Sequence, residues 1–163
     1  MLLDLRKIID MPGASVTFEC DLNPDDLYFP SIKEYIGSPK ASGTVFNEAG
    51  ILRMTGSAEA DMLCTCDRCG KEFESSKTTE IDVVLAEEDP NANPGLFLIE
   101  GDEIDVTEVC ETCFNLDMET KFLCGEDCKG LCPTCGKNLN DGPCGCQKER
   151  DPRFAVLEQL LDK

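Results

Sequence analysis

Histidine is missing from this 163-residue chain. Its absence removes every metal site built on imidazole, along with the Ser-His and Cys-His nucleophile pairs. Positive charge is scarce: 15 Lys and Arg stand against 33 Asp and Glu, a net charge of −18. The imbalance is uneven, with 8 basic against 25 acidic residues in 1–118 and 7 against 8 in 119–163. Proteins that grip nucleic acid through their surface carry a basic footprint, and the first part of this chain carries the reverse. Such a surface confers solubility and attracts basic partners. Long apolar runs are lacking too, and none approaches the length that spans a bilayer. The opening MLLDLRKIID is charged within four residues and holds no apolar core of the signal-peptide kind. The expectation is a soluble, cytoplasmic protein with no membrane partner. There is no phosphate-binding glycine loop and no catalytic constellation. The carboxylates are scattered as a solvated face, so we expect a non-enzyme without a small-molecule substrate.

Cysteine is abundant, at 12 residues. Without a leader, that load reads as metal ligands and buried thiols in place of six disulfides. Six of the 12 lie in the stretch LCGEDCKGLCPTCGKNLNDGPCGC, as Cys124, Cys128, Cys132, Cys135, Cys144 and Cys146. Cys132-x-x-Cys135 is followed by Gly136, and Cys144-x-Cys146 comes after a short loop. Two close pairs of thiolates supply the tetrahedron that a structural zinc ion requires. With imidazole excluded, cysteine must hold the ion. A closed four-cysteine site leaves no open position for a substrate. Cys124 and Cys128 lie just upstream, so spacing alone does not select the four ligands.

A second group is Cys64-Thr65-Cys66-Asp67-Arg68-Cys69. Cys66 and Cys69 have the two-residue gap of a zinc knuckle. If they bind metal, Cys110 and Cys113 are the expected partners, because positions i and i+3 share one face of a helix. The alternative is that Cys110 and Cys113 belong to that helix's apolar stripe, since free cysteine behaves as a small hydrophobe. A thioredoxin-like role needs a βαβ setting, whereas the sequence around Cys66 reads as a β-hairpin.

Leu2 to Ile9 reads as a strand or the start of one, and hydrophobic alternation predicts strands over Ser15 to Leu22, Ile36 to Phe46, Ile51 to Leu63, Glu72 to Ala86 and Leu96 to Ile99. Asn47-Glu48-Ala49-Gly50 predicts a hairpin turn, and Glu87 to Pro94 a polar loop. From Glu103 to Asp117 the apolar period becomes helical, with Asp105 placed to cap it. Phe154 to Leu161 reads as a terminal helix opened by Asp151-Pro152. The fold class expected is α+β. It comprises a mostly antiparallel, acidic β-rich body (1–118) with few helices, a cysteine-rich zinc-binding loop (119–150) and a short C-terminal helix (151–163).

Several of these residues carry a resemblance. Cys128-Lys129-Gly130-Leu131-Cys132-Pro133-x-Cys135-Gly136-x-Asn138-Leu139-Asn140, then Cys144-x-Cys146 and Asp151-Pro152-Arg153, resembles the YceD-like family of large ribosomal RNA subunit accumulation proteins. Cys66-Asp67-Arg68-Cys69 between two strands is similar to that family's other hallmark. The resemblance implies a cytoplasmic factor, found also in plastids, that supports accumulation of 23S ribosomal RNA and large-subunit assembly. It carries over Cys128, Cys132, Cys135, Cys144 and Cys146 as the motif from which four ligands for Zn2+ are drawn. The expected partners are ribosomal RNA or a basic large-subunit ribosomal protein. Lys129, Lys137, Lys148, Arg150 and Arg153 are the candidates for phosphate contacts. Two rival readings come from other classes. One is a redox-sensing zinc-thiolate protein, in which oxidation to disulfides releases the metal. The other is a rubredoxin-like iron carrier.

Overall fold

The computed structural model describes residues 1–86 and 96–146. The predicted loop at 87–94, the predicted helix at Phe154–Leu161 and the side chains of Lys148, Arg150 and Arg153 lie outside the described residues. The strands are β1 (Leu2–Asp4), β2 (Ser15–Asp21), β3 (Ile32–Tyr35), β4 (Lys40–Glu48), β5 (Ile51–Thr65), β6 (Glu72–Ala86), β7 (Leu96–Leu98) and β8 (Glu103–Asp105). Helix α1 covers Val106–Asp117. The protein is α+β, as its alternating strands and the helical period after Glu103 led us to expect.

Six strands form one sheet in the order β2-β4-β5-β6-β7, with β3 also paired to β5. Strand β5 is the centre. Along one edge it pairs with β4 from Ile51 to Glu59, then with β3 from Met62 to Cys64. Along the other edge it pairs with β6 over nearly its whole length, from Leu52↔Leu85 to Thr65↔Glu72. All of these contacts are antiparallel, and only β7 joins in parallel, beside the end of β6. β1 and β8 make a separate two-stranded sheet.

The alternation along β5 explains the layering. Leu52, Met54, Ala58, Ala60, Met62 and Cys64 all point to the buried side. Their neighbours Arg53, Thr55, Ser57, Glu59 and Asp61 point outward, and Asp82 of β6 pairs with Arg53 at 2.6 Å on that outer face. A strand has a side-chain period of two, so a polar face and an apolar face follow directly. Helix α1 closes the apolar side through Val106, Val109, Cys110 and Phe114. The Asp105 carboxylate accepts from the N–H groups of Thr107 and Glu108, at 3.0 and 3.4 Å, and so starts the helix. The predicted helical stretch began at Glu103, but Glu103–Asp105 is strand β8, and capping at Asp105 sets the boundary.

The β4–β5 hairpin turns at Ala49 and Gly50, both at positive φ. Asn47, buried just before the turn, stabilises it. Its amide donates to the carbonyls of Ile8 and Ile9 at 2.8 and 2.6 Å and accepts from Gly50 N at 2.7 Å. The end of α1 is tied to β6 by Lys77, whose ammonium meets the Asp117 carboxylate at 3.0 Å and the Glu119 carboxylate at 3.0 Å. Among the described residues, no helix is long and apolar enough to cross a membrane.

Two outcomes follow from this packing. Phe114 is fully enclosed, and Phe114→Ala should cost about 3–5 kcal/mol in denaturant unfolding through the lost burial and the cavity left behind. The Lys77 ammonium, with help from the Thr79 hydroxyl, holds the Asp117 carboxyl below its usual 3.8. A lowered carboxyl value stabilises the fold above 3.8, and that contribution is lost as pH falls through the folded-state value. Asp117→Asn should therefore be less stable than the parent at neutral pH, and the difference should close in acid.

Candidate metal centres

β5 and β6 each run for 15 residues, about 50 Å of extended chain. Their connection, residues 66–71, sits at the tip of this ribbon. Lys71 O accepts from Cys66 N and Cys66 O accepts from Gly70 N, both at 2.9 Å. Gly70 takes a positive φ of 69°, a conformation that suits a residue without Cβ. This tight turn leaves the sulfurs of Cys66 and Cys69 side by side.

The chain beyond α1 returns to the same tip. Phe122 is buried there, and its backbone exchanges two bonds with Asp67. Asp67 N donates to Phe122 O at 2.8 Å, and Phe122 N donates to the Asp67 carboxylate at 2.7 Å. The other Asp67 oxygen accepts from the Ser31 hydroxyl at 2.6 Å. The Arg68 guanidinium donates to Cys128 O at 2.9 Å. These bonds bring Cys124 and Cys128 over the knuckle. Cys66 Sγ lies 3.7 Å from Cys128 Sγ, and Cys69 Sγ lies 3.6 Å from Cys124 Sγ.

A second, local group forms further on. The four sulfurs of Cys132, Cys135, Cys144 and Cys146 lie within 4.8 Å of one another, as do those of Cys66, Cys69, Cys124 and Cys128. Its turn repeats the first one. Cys132 N donates to Lys137 O at 2.8 Å, Gly136 N donates to Cys132 O at 2.9 Å, and Gly136 has a φ of 73°. The two turns are CDRCGK (66–71) and CPTCGK (132–137), the same motif twice.

Of the five cysteines expected to supply the tail ligands, the structure therefore groups Cys132, Cys135, Cys144 and Cys146, and places Cys128 with the other set. Cys110 and Cys113 do not approach Cys66 and Cys69. They lie on α1, which packs under the body of the sheet, whereas the knuckle lies beyond the sheet's last paired residues. Burial pushes the Cys110 and Cys113 thiols up, and Cys20 sits against Cys110. These three cysteines act as apolar side chains. Cys124, which spacing left unassigned, completes the hairpin set.

All 12 cysteines are free thiols, and the separations of 3.6 and 3.7 Å are far from a covalent sulfur–sulfur bond. They match a different geometry. Metal–sulfur bonds of about 2.3 Å in a tetrahedron set sulfur–sulfur distances of about 3.8 Å. The proton chemistry agrees. Burial raises the Cys66 thiol, but backbone N–H groups of Cys124, Cys69 and Arg68 outweigh it and bring it down to about 6. The N–H groups of Cys135 and Thr134, then the Cys144 thiol, bring Cys132 down to about 6 as well. In each set another thiol is forced the other way. Contact with Cys69, then burial, pushes Cys124 up to about 12, and contact with Cys135, then burial, does the same to Cys146. Four thiolates so close repel one another, and a divalent cation removes that repulsion. Either set has the chemistry to hold a metal ion.

A family model described as Large ribosomal RNA subunit accumulation protein YceD matches residues 54–161, more than half of the chain. The chain belongs to the YceD family. The matched region takes in both cysteine sets of this YceD-family protein. A curated relative from Arabidopsis thaliana is named Large ribosomal RNA subunit accumulation protein YCED homolog 1, chloroplastic. It is 25% identical over an alignment 167 residues long that covers 81% of this chain and 52% of the relative. The chain thus spans about half the length of the curated relative it matches. No solved structure matches the chain.

Replacing Asp67 removes the carboxylate that holds both Ser31 and Phe122. Asp67→Ala should speed hydrogen exchange at the Phe122 amide and leave amides in the β4–β5 ladder at parental rates. Unchanged exchange at Phe122 would show that the tip is held in some other way.

Proposed function

We propose that this chain is a non-enzymatic factor that supports accumulation of 23S ribosomal RNA during large-subunit assembly, and that it works in the cytoplasm. The family match over residues 54–161 carries the reading. The name of the Arabidopsis relative points the same way. In this reading the acidic body, 1–118, is the part that meets a partner, and the cysteine-rich loop, 119–150, is stapled by zinc at Cys132, Cys135, Cys144 and Cys146. A closed four-thiolate site of this kind contributes folding free energy and offers no position for a reacting substrate.

The charge distribution favours a basic large-subunit ribosomal protein over RNA as the direct partner. The net charge is −18. The outer face of the sheet presents Glu19, Asp21, Glu59, Asp61, Glu80 and Asp82. Phosphate would be repelled by that face, and lysine- or arginine-rich segments would be drawn to it. Lys129 and Lys137 remain for any RNA contact near the tail set.

The test is genetic, with one biochemical arm. Cells depleted of the protein should lose 23S relative to 16S ribosomal RNA. The parental chain should restore the ratio, and a Cys132→Ser/Cys144→Ser chain should restore it poorly. A normal ratio after depletion would refute the proposal. For the partner, binding to purified basic large-subunit proteins should exceed binding to 23S fragments at low salt. Tight RNA binding with a steep salt dependence would place phosphate contacts at the centre instead.

A further inference from the structure

The zinc staple proposed above uses four of the eight clustered cysteines. We propose that Cys66, Cys69, Cys124 and Cys128 form a second site for a thiophilic divalent cation, and that the tail site completes it through Asn140. The proposal rests on the reading of the tail set as a metal site.

The first part stands on three observations. The sulfur pairs at 3.6 and 3.7 Å already have the spacing of a tetrahedral thiolate site. The knuckle turn at 66–71 has the same hydrogen bonds as the turn at 132–137. Hydrogen bonds through Asp67 and Arg68 guide the returning chain to the tip, but little apolar burial holds it there. Cys66, Cys69 and Cys128 form a small buried cluster of their own, apart from the main core, with only Phe73, Leu123 and Cys124 packed against them. So few apolar groups do not anchor a returning segment that contains no regular secondary structure, and small units of this kind rely on a staple.

The second part concerns Asn140. It belongs to the loop between Cys135 and Cys144, which the tail site closes. Its side chain reaches out of that loop to the other set. Asn140 Nδ2 donates to Cys128 Sγ at 3.5 Å, and Asn140 Oδ1 accepts from Lys129 N at 2.8 Å. The amide is held in place from its own loop, because Asn140 Nδ2 also donates to Asn138 Oδ1 at 2.8 Å. Two backbone bonds continue the connection: Leu139 N to Gly130 O at 2.9 Å, and Leu131 N to Arg68 O at 3.1 Å. A donor on a metal-bound thiolate spreads its charge and fixes its direction, and such outer partners change metal affinity about 10–100-fold. Asn140 is therefore a positioning residue for the hairpin site. Filling the tail site holds the donor in place and tightens the hairpin site. By linkage, filling the hairpin site tightens the tail.

The test uses the full chain, reduced and stripped of metal, titrated with Co2+ and Zn2+ against a competing chelator. Metal per chain is read by native mass spectrometry, and the cobalt–thiolate absorption reports each site. The parental chain should take two ions. Cys66→Ser/Cys69→Ser should keep one, and Cys135→Ser/Cys144→Ser should keep one with weakened affinity. Asn140→Ala should weaken the hairpin site about 10-fold or more and shift its cobalt absorption, with two ions still bound at saturation. Asn140→Asp keeps the acceptor for Lys129 and loses the donor, so it should weaken the site as alanine does. If aspartate restores parental affinity, Asn140 acts by holding Lys129 and the coupling through sulfur is wrong. One ion per chain, lost in Cys135→Ser/Cys144→Ser, would overturn the second site and leave the tail staple standing. No bound ion at all would overturn both.

Discussion

The pairing of β5 with β6 is the constraint on which the other contacts depend. Its ladder runs unbroken from Leu52↔Leu85 to Thr65↔Glu72. Register there decides which side chains meet α1 and which meet water, because a slip of one residue would exchange the two faces. It also decides where the ribbon ends. Thr65 is the last paired residue of β5, so Cys66 falls on the inner face one step past the ladder. Cys64 has the same facing but lies within the ladder, and it is packed into the core. Two residues of displacement along one strand separate a hydrophobe from a candidate ligand.

Electrostatics shapes the remainder. Acidic groups dominate the surface, and each four-thiolate site with a divalent ion would add about two further negative charges. The protein tolerates this by separating functions along the ribbon. Carboxylates lie on the outer face of the sheet, where water screens them. The thiols lie at the tip, where backbone N–H groups point at sulfur and stabilise its ionised form. Arg68 sits between the knuckle and the returning chain and donates to the Cys128 carbonyl. Few other cations are needed, because the amide dipoles at the tip already favour the anionic sulfurs.

The β body was legible because its strands are long and alternate. Val16, Phe18 and Cys20 share one side, and so do Ile81, Val83 and Leu85. Helix α1 was legible from the change of period after Asp105. β1 falls at the start of the predicted Leu2–Ile9 stretch, but the short strands β3 and β8 were not legible, since three or four residues hold too little pattern to separate a strand from a loop. The cysteine sets were half legible. Local spacing pointed to two close pairs, Cys132 with Cys135 and Cys144 with Cys146, which the structure joins in a loop that closes within 15 residues. It left Cys124 and Cys128 unassigned, the family resemblance attached Cys128 to the tail set, and Cys66 and Cys69 were paired with α1 because a helix presents i and i+3 together. Partners 55 and 62 residues apart leave no trace in spacing. The repeated CDRCGK and CPTCGK was the available clue: two equivalent turns call for two separate sets of partners.

That difference in separation has a consequence for how the molecule is assembled as it is made. Closing the loop from Cys132 to Cys146 orders few residues, whereas joining Cys69 to Cys124 must wait for a segment of 55 residues. During synthesis the knuckle at 66–71 emerges early and stands with two uncommitted sulfurs while β6 and α1 are still being added. Loop-closure entropy grows only slowly with length, so the delay comes from chain order more than from energetic cost. The nascent chain thus carries an open pair of thiols for some 3–11 s, the time to add those 55 residues at about 5–20 residues per second. In that interval any soft cation, or any thiol-reactive molecule at the tunnel exit, meets the ribbon tip before its own C-terminal segment does.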